Sequence, residues 1–251
     1  MFKSIIFSLF AIASVYAADC STLYPEGLPT QTVDKVLCKK QFVIGYSFET
    51  KTPMWAVERL SRQNNSELLP LDGFRFRRDY ALSRKDRASS SDYMYTTQDR
   101  SPLVPFEDVN TDHTASAESF LMSNIAPQNY KLNRHAWIYL ERGVRELADV
   151  YEEVHVVTGV AFLQEKYEKV ERIGTHKVAV PTHYYKAVYA PNTVDGPKMW
   201  AWIVPNEDID YKEMKHYRTS VDELEKMLDI DLFPELKPSL QASIESKVIP
   251  L

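Results

Sequence analysis

Residues 41–49, "QFVIGYSFE", carry enough apolar–polar alternation for a strand with one buried face. "TPMWAVERL" follows at 52–60 as a loop or a strand. The period then changes. Across 116–152, Leu132, Ala136, Leu140, Val144 and Leu147 recur every three or four residues, the stripe of an amphipathic helix. "VHVVTGVAFL", "HKVAVPTHYYKAVYA" and "KMWAWIVPN" are β-branched and aromatic runs, which predict the central strands of a sheet. In "SVDELEKML", Ser220 precedes Glu223 by three residues, a capping box that opens a helix. Strands, a helix, then further strands predict an α+β single domain. It spans residues 41–240, between an irregular N-terminal arm (18–40) and a C-terminal tail (241–251).

The first residues bear on the compartment. Met1–Phe2–Lys3 gives a positive start, "SIIFSLFAIASV" is an apolar run too short for a comfortable membrane span, and Val15–Tyr16–Ala17 offers small residues for cleavage. Residues 1–17 therefore read as a signal peptide, and the mature chain as secreted or periplasmic. Cys20 and Cys38 are the two cysteines, and an oxidising compartment would join them as a disulfide. That bond would close a loop of roughly 18 residues and contribute about 3 kcal/mol. Two cysteines and no CxxC pattern exclude a cysteine-based metal site.

A formal net charge of −5 over 251 residues means that any affinity for nucleic acid must come from a local patch. Residues 74–87, "FRFRRDYALSRKDR", hold six basic and two acidic side chains. Such a run is either a solvated face or a phosphate-binding surface. Phe74, Phe76 and Tyr80 could anchor it while Arg75, Arg77 and Arg78 reach phosphates.

Several segments in order resemble the DNA/RNA non-specific endonucleases, the ββα-metal family. "DYALSRKDRASSSDYMYTTQDRSPLVP" is similar to the approach to the family's D-R-G-H signature, and "ESFLMSNIAPQNYKLNRHAWIYLE" to its N-x-x-P-Q…N…W-x-x-x-E segment. "VVTGVAFL" with "VAVPTHYYKAV" is similar to its core strands, and the resemblance covers roughly residues 40 to 237. It implies a ββα-metal (His-Me finger) nuclease fold with a central antiparallel sheet flanked by helices. It also implies Mg²⁺ or Mn²⁺ as cofactor and DNA or RNA as partner. Related enzymes often form homodimers.

By the same resemblance Asn133 matches the metal-ligating residue, and Glu141 the acid that serves the metal through a water. On an ideal α-helix these two lie about 12 Å apart along the axis and ~80° apart around it. Asn124 matches a positioning Asn, and Arg100 the Arg of D-R-G-H. The departures matter as much. Ser101 stands in the Gly place and Pro102 in the place of the general-base His, and proline can accept no proton. Loss of a general base costs ~10²–10⁴ in rate. A second upstream Arg would fall near Leu71, where none stands.

His113, eleven residues past Pro102, is the nearest downstream candidate for a substitute base. His135 would be turned about 200° from Asn133 on an α-helix, and His155, His176 and His183 fall on predicted strands. The sequence thus leaves three readings. They are an impaired nuclease that still binds nucleic acid, an active one with a relocated base, and a catalytically dead member acting as a protein-interaction module.

Overall fold

A computed structural model of the chain describes residues 20, 23–62, 68–163 and 170–250. The expected signal peptide, residues 1–17, lies outside the described residues. In chain order the strands are β1 (Lys35–Cys38), β2 (Phe42–Ser47), β3 (Thr52–Ser61), β4 (Gln98–Pro102), β5 (Ile125–Asn129) and β6 (Glu153–Ala161). They continue with β7 (Arg172–Ile173), β8 (Val178–Ala179), β9 (His183–Ala190), β10 (Lys198–Pro205) and β11 (Arg218–Thr219). The helices are α1 (Phe106–Val109), α2 (His113–Ser119), α3 (Ile138–Tyr151), α4 (Val221–Leu228) and α5 (Pro238–Ile244).

Seven strands form one antiparallel sheet in the order β1-β2-β3-β6-β9-β10-β11. Helices cover both of its faces, which is why the strands read as apolar runs. Phe42, Ile44 and Tyr46 of β2 face a core shared with Trp137 and with Leu132, Ala136, Leu140, Val144 and Leu147, the predicted helical stripe. Val43 faces the opposite core, where Trp55, Tyr185 and Tyr189 meet Tyr24 of the N-terminal arm, Val221 and Leu224 of α4, and Ile244 of α5. Two aromatic rings lie flat across cross-strand glycines here. A Cβ on Gly45 would come within 2.2 Å of the Trp55 ring, and one on Gly159 within 2.2 Å of the Tyr185 ring.

Several local expectations change. "TPMWAVERL" is strand β3, paired on both sides, between β2 and β6. The arm is not irregular throughout, because its last residues form edge strand β1, and the Cys20–Cys38 disulfide ties residue 20 to that strand. The expected boundary at 240/241 falls inside α5. His176 sits in the turn between β7 and β8 rather than on a strand. The capping box at α4 is half formed: Ser220 Oγ accepts from the Glu223 N–H at 3.1 Å, while the Glu223 carboxylate takes the Thr219 hydroxyl instead.

Candidate active site

β4 and β5 form a separate two-stranded sheet that leads, through a helical turn, into α3. This is a ββα unit, and β4 is the "QDRSP" segment. Its register pairs Asp99 with Gln128, Arg100 with Pro127, Ser101 with Ala126 and Pro102 with Ile125. One step further on, the Leu103 N–H donates to the Asn124 carbonyl at 2.9 Å. Ladder hydrogen bonds in an antiparallel pair occur at every second pair of residues. Arg100/Pro127 and Pro102/Ile125 are therefore the non-hydrogen-bonded pairs. The N–H that proline lacks would face away from β5, on a side of β4 where no strand pairs among the described residues. Alternation also puts Arg100 and Pro102 on one face of the hairpin.

Residues 132–137 are π-helical, directly before α3. The wider i→i+5 turn rotates less per residue than an α-turn, so the ~80° offset expected between Asn133 and Glu141 does not apply. At the start of this turn Asn133 Nδ2 donates to Asp99 Oδ2 at 3.1 Å. Arg134 grips the same carboxylate with Nε at 2.7 Å and Nη2 at 2.8 Å. Asp99 thus fixes the start of the helix against the hairpin, and the Asn133 side-chain oxygen is the end of that amide that Asp99 does not take.

Glu141 is buried on α3. Burial pushes its carboxyl up to about 8, with Lys186 and Arg145 opposing the rise and Asp108 adding to it. Around it, Arg145 Nη1 donates to Asp108 Oδ1 at 2.6 Å, and Lys186 donates to Thr158 Oγ1 with its ammonium 5.6 Å from the Trp137 ring centroid. Glu58 of β3 lies buried in the same group, its carboxyl raised by burial and then by the charge of Asp108.

The Arg100 guanidinium lies 5.2 Å from the Phe76 ring centroid and 6.0 Å from that of Tyr93. Its Nη1 is buried and has no hydrogen-bond partner among the described residues. Asn124 is fully buried and spends its amide on backbone: Oδ1 accepts from Val104 N (3.1 Å), and Nδ2 donates to Val104 O (2.8 Å) and Ser119 O (2.9 Å). It closes the excursion between β4 and β5 that carries α1 and α2.

A family sequence model described as DNA/RNA non-specific endonuclease matches residues 19–239. The chain belongs to this family. It is 31% identical over 202 residues to a mitochondrial nuclease EXOG of Xenopus laevis, covering 77% of this chain and 56% of that one. It thus spans little more than half the length of that relative. Nuclease C1 of Cunninghamella echinulata is 29% identical over 217 residues, covering 83% of this chain and 86% of that protein. Among solved structures, one titled as the EndoG/EndoGI complex and the mechanism of EndoG inhibition superposes with a TM-score of 0.79 at 27% identity. That match covers 86% of this chain and 92% of the other.

Within the family frame, the sequence-matched residues fall into two groups. Arg100, Pro102, Asn124, Asn133 and Glu141 all belong to the β4–β5–α3 unit or the excursion it encloses. The basic segment approaches from outside it. Arg75 and Arg77 line an open cleft of about 520 Å³ together with Phe74 and His113. His113 is exposed at the first position of α2, its ring 5.3 Å from that of Phe74. Arg78, next to Arg77 in sequence, is exposed but does not line the cleft, and Leu71 is exposed. Asp79 anchors the segment: buried, it accepts from Lys39 Nζ at 2.7 Å and from Ser123 Oγ at 2.6 Å.

Sequence reasoning passed over Asp108, Arg145, Lys186 and Glu58, the charged groups that surround Glu141. Two of them carried a visible signal, since Lys186 in "HYYKAVYA" and Glu58 in "MWAVERL" are charged residues inside apolar strands. A charge buried in this way needs a partner.

Proposed function

We propose that this protein binds nucleic-acid phosphates at the β4–β5–α3 unit and hydrolyses them slowly or not at all. The observation that carries this reading is Pro102, at the place the resemblance gives to the general base, in the same β4–β5–α3 unit as Arg100, Asn133 and Glu141. The buried, unpartnered Nη1 of Arg100 supports an anion at this place, because a desolvated guanidinium N–H without an acceptor is costly.

The residues fit a hard divalent cation. Asn133 offers an oxygen whose amide is already oriented by Asp99, and Glu141 is a buried carboxyl group on α3. When bound, such an ion supplies positive charge against the phosphoryl oxygens. Asn133 would hold it, Glu141 would orient a water beside it, and Arg100 would grip the phosphate. No side chain at residue 102 can take the proton of the attacking water.

Cleavage of plasmid DNA and of RNA with Mg²⁺ or Mn²⁺, by the mature chain beside Pro102→His, tests this. The reading expects the variant to cut and the natural chain to lag by ~10²-fold or more. Equal, EDTA-sensitive cutting by both would overturn it and move attention to His113, which shares a cleft with Arg75 and Arg77. Binding should also weaken steeply with salt, and more weakly so after Arg75, Arg77 and Arg78 are replaced.

The solved relative in complex with an inhibitor favours a second reading, a member retained for contact with a protein. Salt-insensitive binding that survives loss of the three arginines would support it. Export, as residues 1–17 suggest, is supported by the Cys20–Cys38 disulfide. N-terminal sequencing of the natural protein tests the cleavage near Ala17.

A further inference from the structure

On the sheet face opposite the β4–β5–α3 unit, three carboxylates converge where α4 meets the end of α5. Asp222 and Glu225 stand one turn apart on α4, and Glu245 directly follows α5. Each contributes one oxygen, and these oxygens all lie within 4.8 Å of one another. Donors on opposite sides of one Ca²⁺ ion, at 2.3–2.6 Å each, would be separated by about that distance.

A second observation points into the same place. Glu245 is only 4% exposed, and its Oε1 is buried without a hydrogen-bond partner among the described residues. The backbone brings it there, since the Asp222 N–H donates to the Glu245 carbonyl at 3.2 Å. Glu225 is placed by the Leu232 N–H, which donates to its Oε1 at 2.8 Å. Asp229 and Asp231 line the adjoining groove with Asp222 and Glu225, and Lys226 is the one basic side chain in that lining. A buried carboxylate oxygen without a donor, set among further carboxylates, is an arrangement a cation resolves.

We propose that Asp222, Glu225 and Glu245 form a second, structural site for a hard divalent cation of the Ca²⁺ class. An irregular all-oxygen set of carboxylates suits Ca²⁺ better than Mg²⁺, which keeps several waters and demands near-octahedral geometry. The ion would clasp α4 to the end of α5, and with them the cover over the second core. The proposal is independent of whether the chain cleaves nucleic acid.

The test is thermal unfolding of the EDTA-stripped full mature chain, titrated with Ca²⁺ alone and then with Mg²⁺ alone. With an affinity near 10⁻⁴ M, 10 mM Ca²⁺ should raise Tm by about 5–10 °C, and Mg²⁺ by less. Asp222→Asn and Glu245→Gln should each abolish the shift, whereas Asn133→Ala should keep it. Asp222 is exposed, so its replacement remains informative if the Glu245 variant folds poorly. No Ca²⁺ shift in the natural chain would overturn the site. So would a shift that Asp222→Asn leaves unchanged, or one that Asn133→Ala removes. A chain stabilised by Glu245→Gln and indifferent to Ca²⁺ would mean that the carboxylates share a proton instead.

Discussion

Asp99 of β4 accepts a 3.1 Å hydrogen bond from the Asn133 amide, so the residue that begins the D-R-S-P run orients the candidate metal ligand. Replacing a group that orients a ligand usually lowers metal affinity 10–100-fold. In the Pro102→His background, Asp99→Ala should raise the Mg²⁺ concentration for half-maximal cleavage by about that factor. Stability should change by no more than about 1 kcal/mol, because Arg134, the other partner, is largely exposed. Unchanged Mg²⁺ dependence would show that Asn133 is held without Asp99.

If turnover is impaired as proposed, Ser101 and Pro102 should not contribute to it equally. Ser101 is buried with an unpartnered Oγ, so Ser101→Gly removes a polar orphan and adds backbone entropy, with a net effect within about 1 kcal/mol. Pro102→His alone should therefore recover most of the rate that the double variant recovers. Single-turnover cleavage by the two variants decides it, and a requirement for glycine at 101 would show as a dead single variant.

Asn124 should behave as a structural clamp. Asn124→Ala leaves the Val104 N–H and two carbonyls without their buried partner, at a cost of about 3 kcal/mol. Urea denaturation should show that loss. In the Pro102→His background, activity should fall in step with the unfolded fraction rather than at saturating substrate in the folded protein.

Much of the fold was legible because it is written in local periodicity. The helical stripe Leu132 to Leu147 is buried against the sheet as the spacing predicts, and the apolar runs are the central strands. What escaped is non-local or depends on hydrogen-bond pattern. The π-helical turn at 132–137 has the same residue types as an α-turn, so nothing in the spacing announces it. In the sequence Pro53 and Glu58 interrupt the apolar character of β3, so the segment reads equally as loop or strand; pairing on both sides settles it. The β4–β5 pair brings residues 99 and 128 together across an excursion that only the tertiary fold closes. At the candidate site, Asn133 and Glu141 could be named by resemblance, but the charges around Glu141 come from α1, β3 and β9 as well as α3.

Asp79 gives a pH dependence. Burial pushes its carboxyl up, but hydrogen bonds from Lys39 and Ser123 and the Lys39 charge outweigh that and hold it below the ordinary range. A carboxyl lowered in the folded state adds stability that is fully present above its unfolded value, about pH 4, and is lost as pH falls through the folded value. Stability should therefore decline below about pH 4, and Asp79→Asn should flatten that limb while lowering stability at neutral pH. Urea midpoints between pH 2 and 7 measure both. An unaltered acid limb would assign the decline to other carboxylates.

The position of Pro102 in the β4–β5 ladder separates activity from cellular fate. A residue that forfeits no ladder bond in this hairpin offers quality-control machinery nothing to detect, and chaperones and proteases respond to unfolding rather than to turnover. Chains with proline or histidine at this position should accumulate to the same level. Exchange between the two would then be a one-residue change in what the protein does, invisible to its abundance.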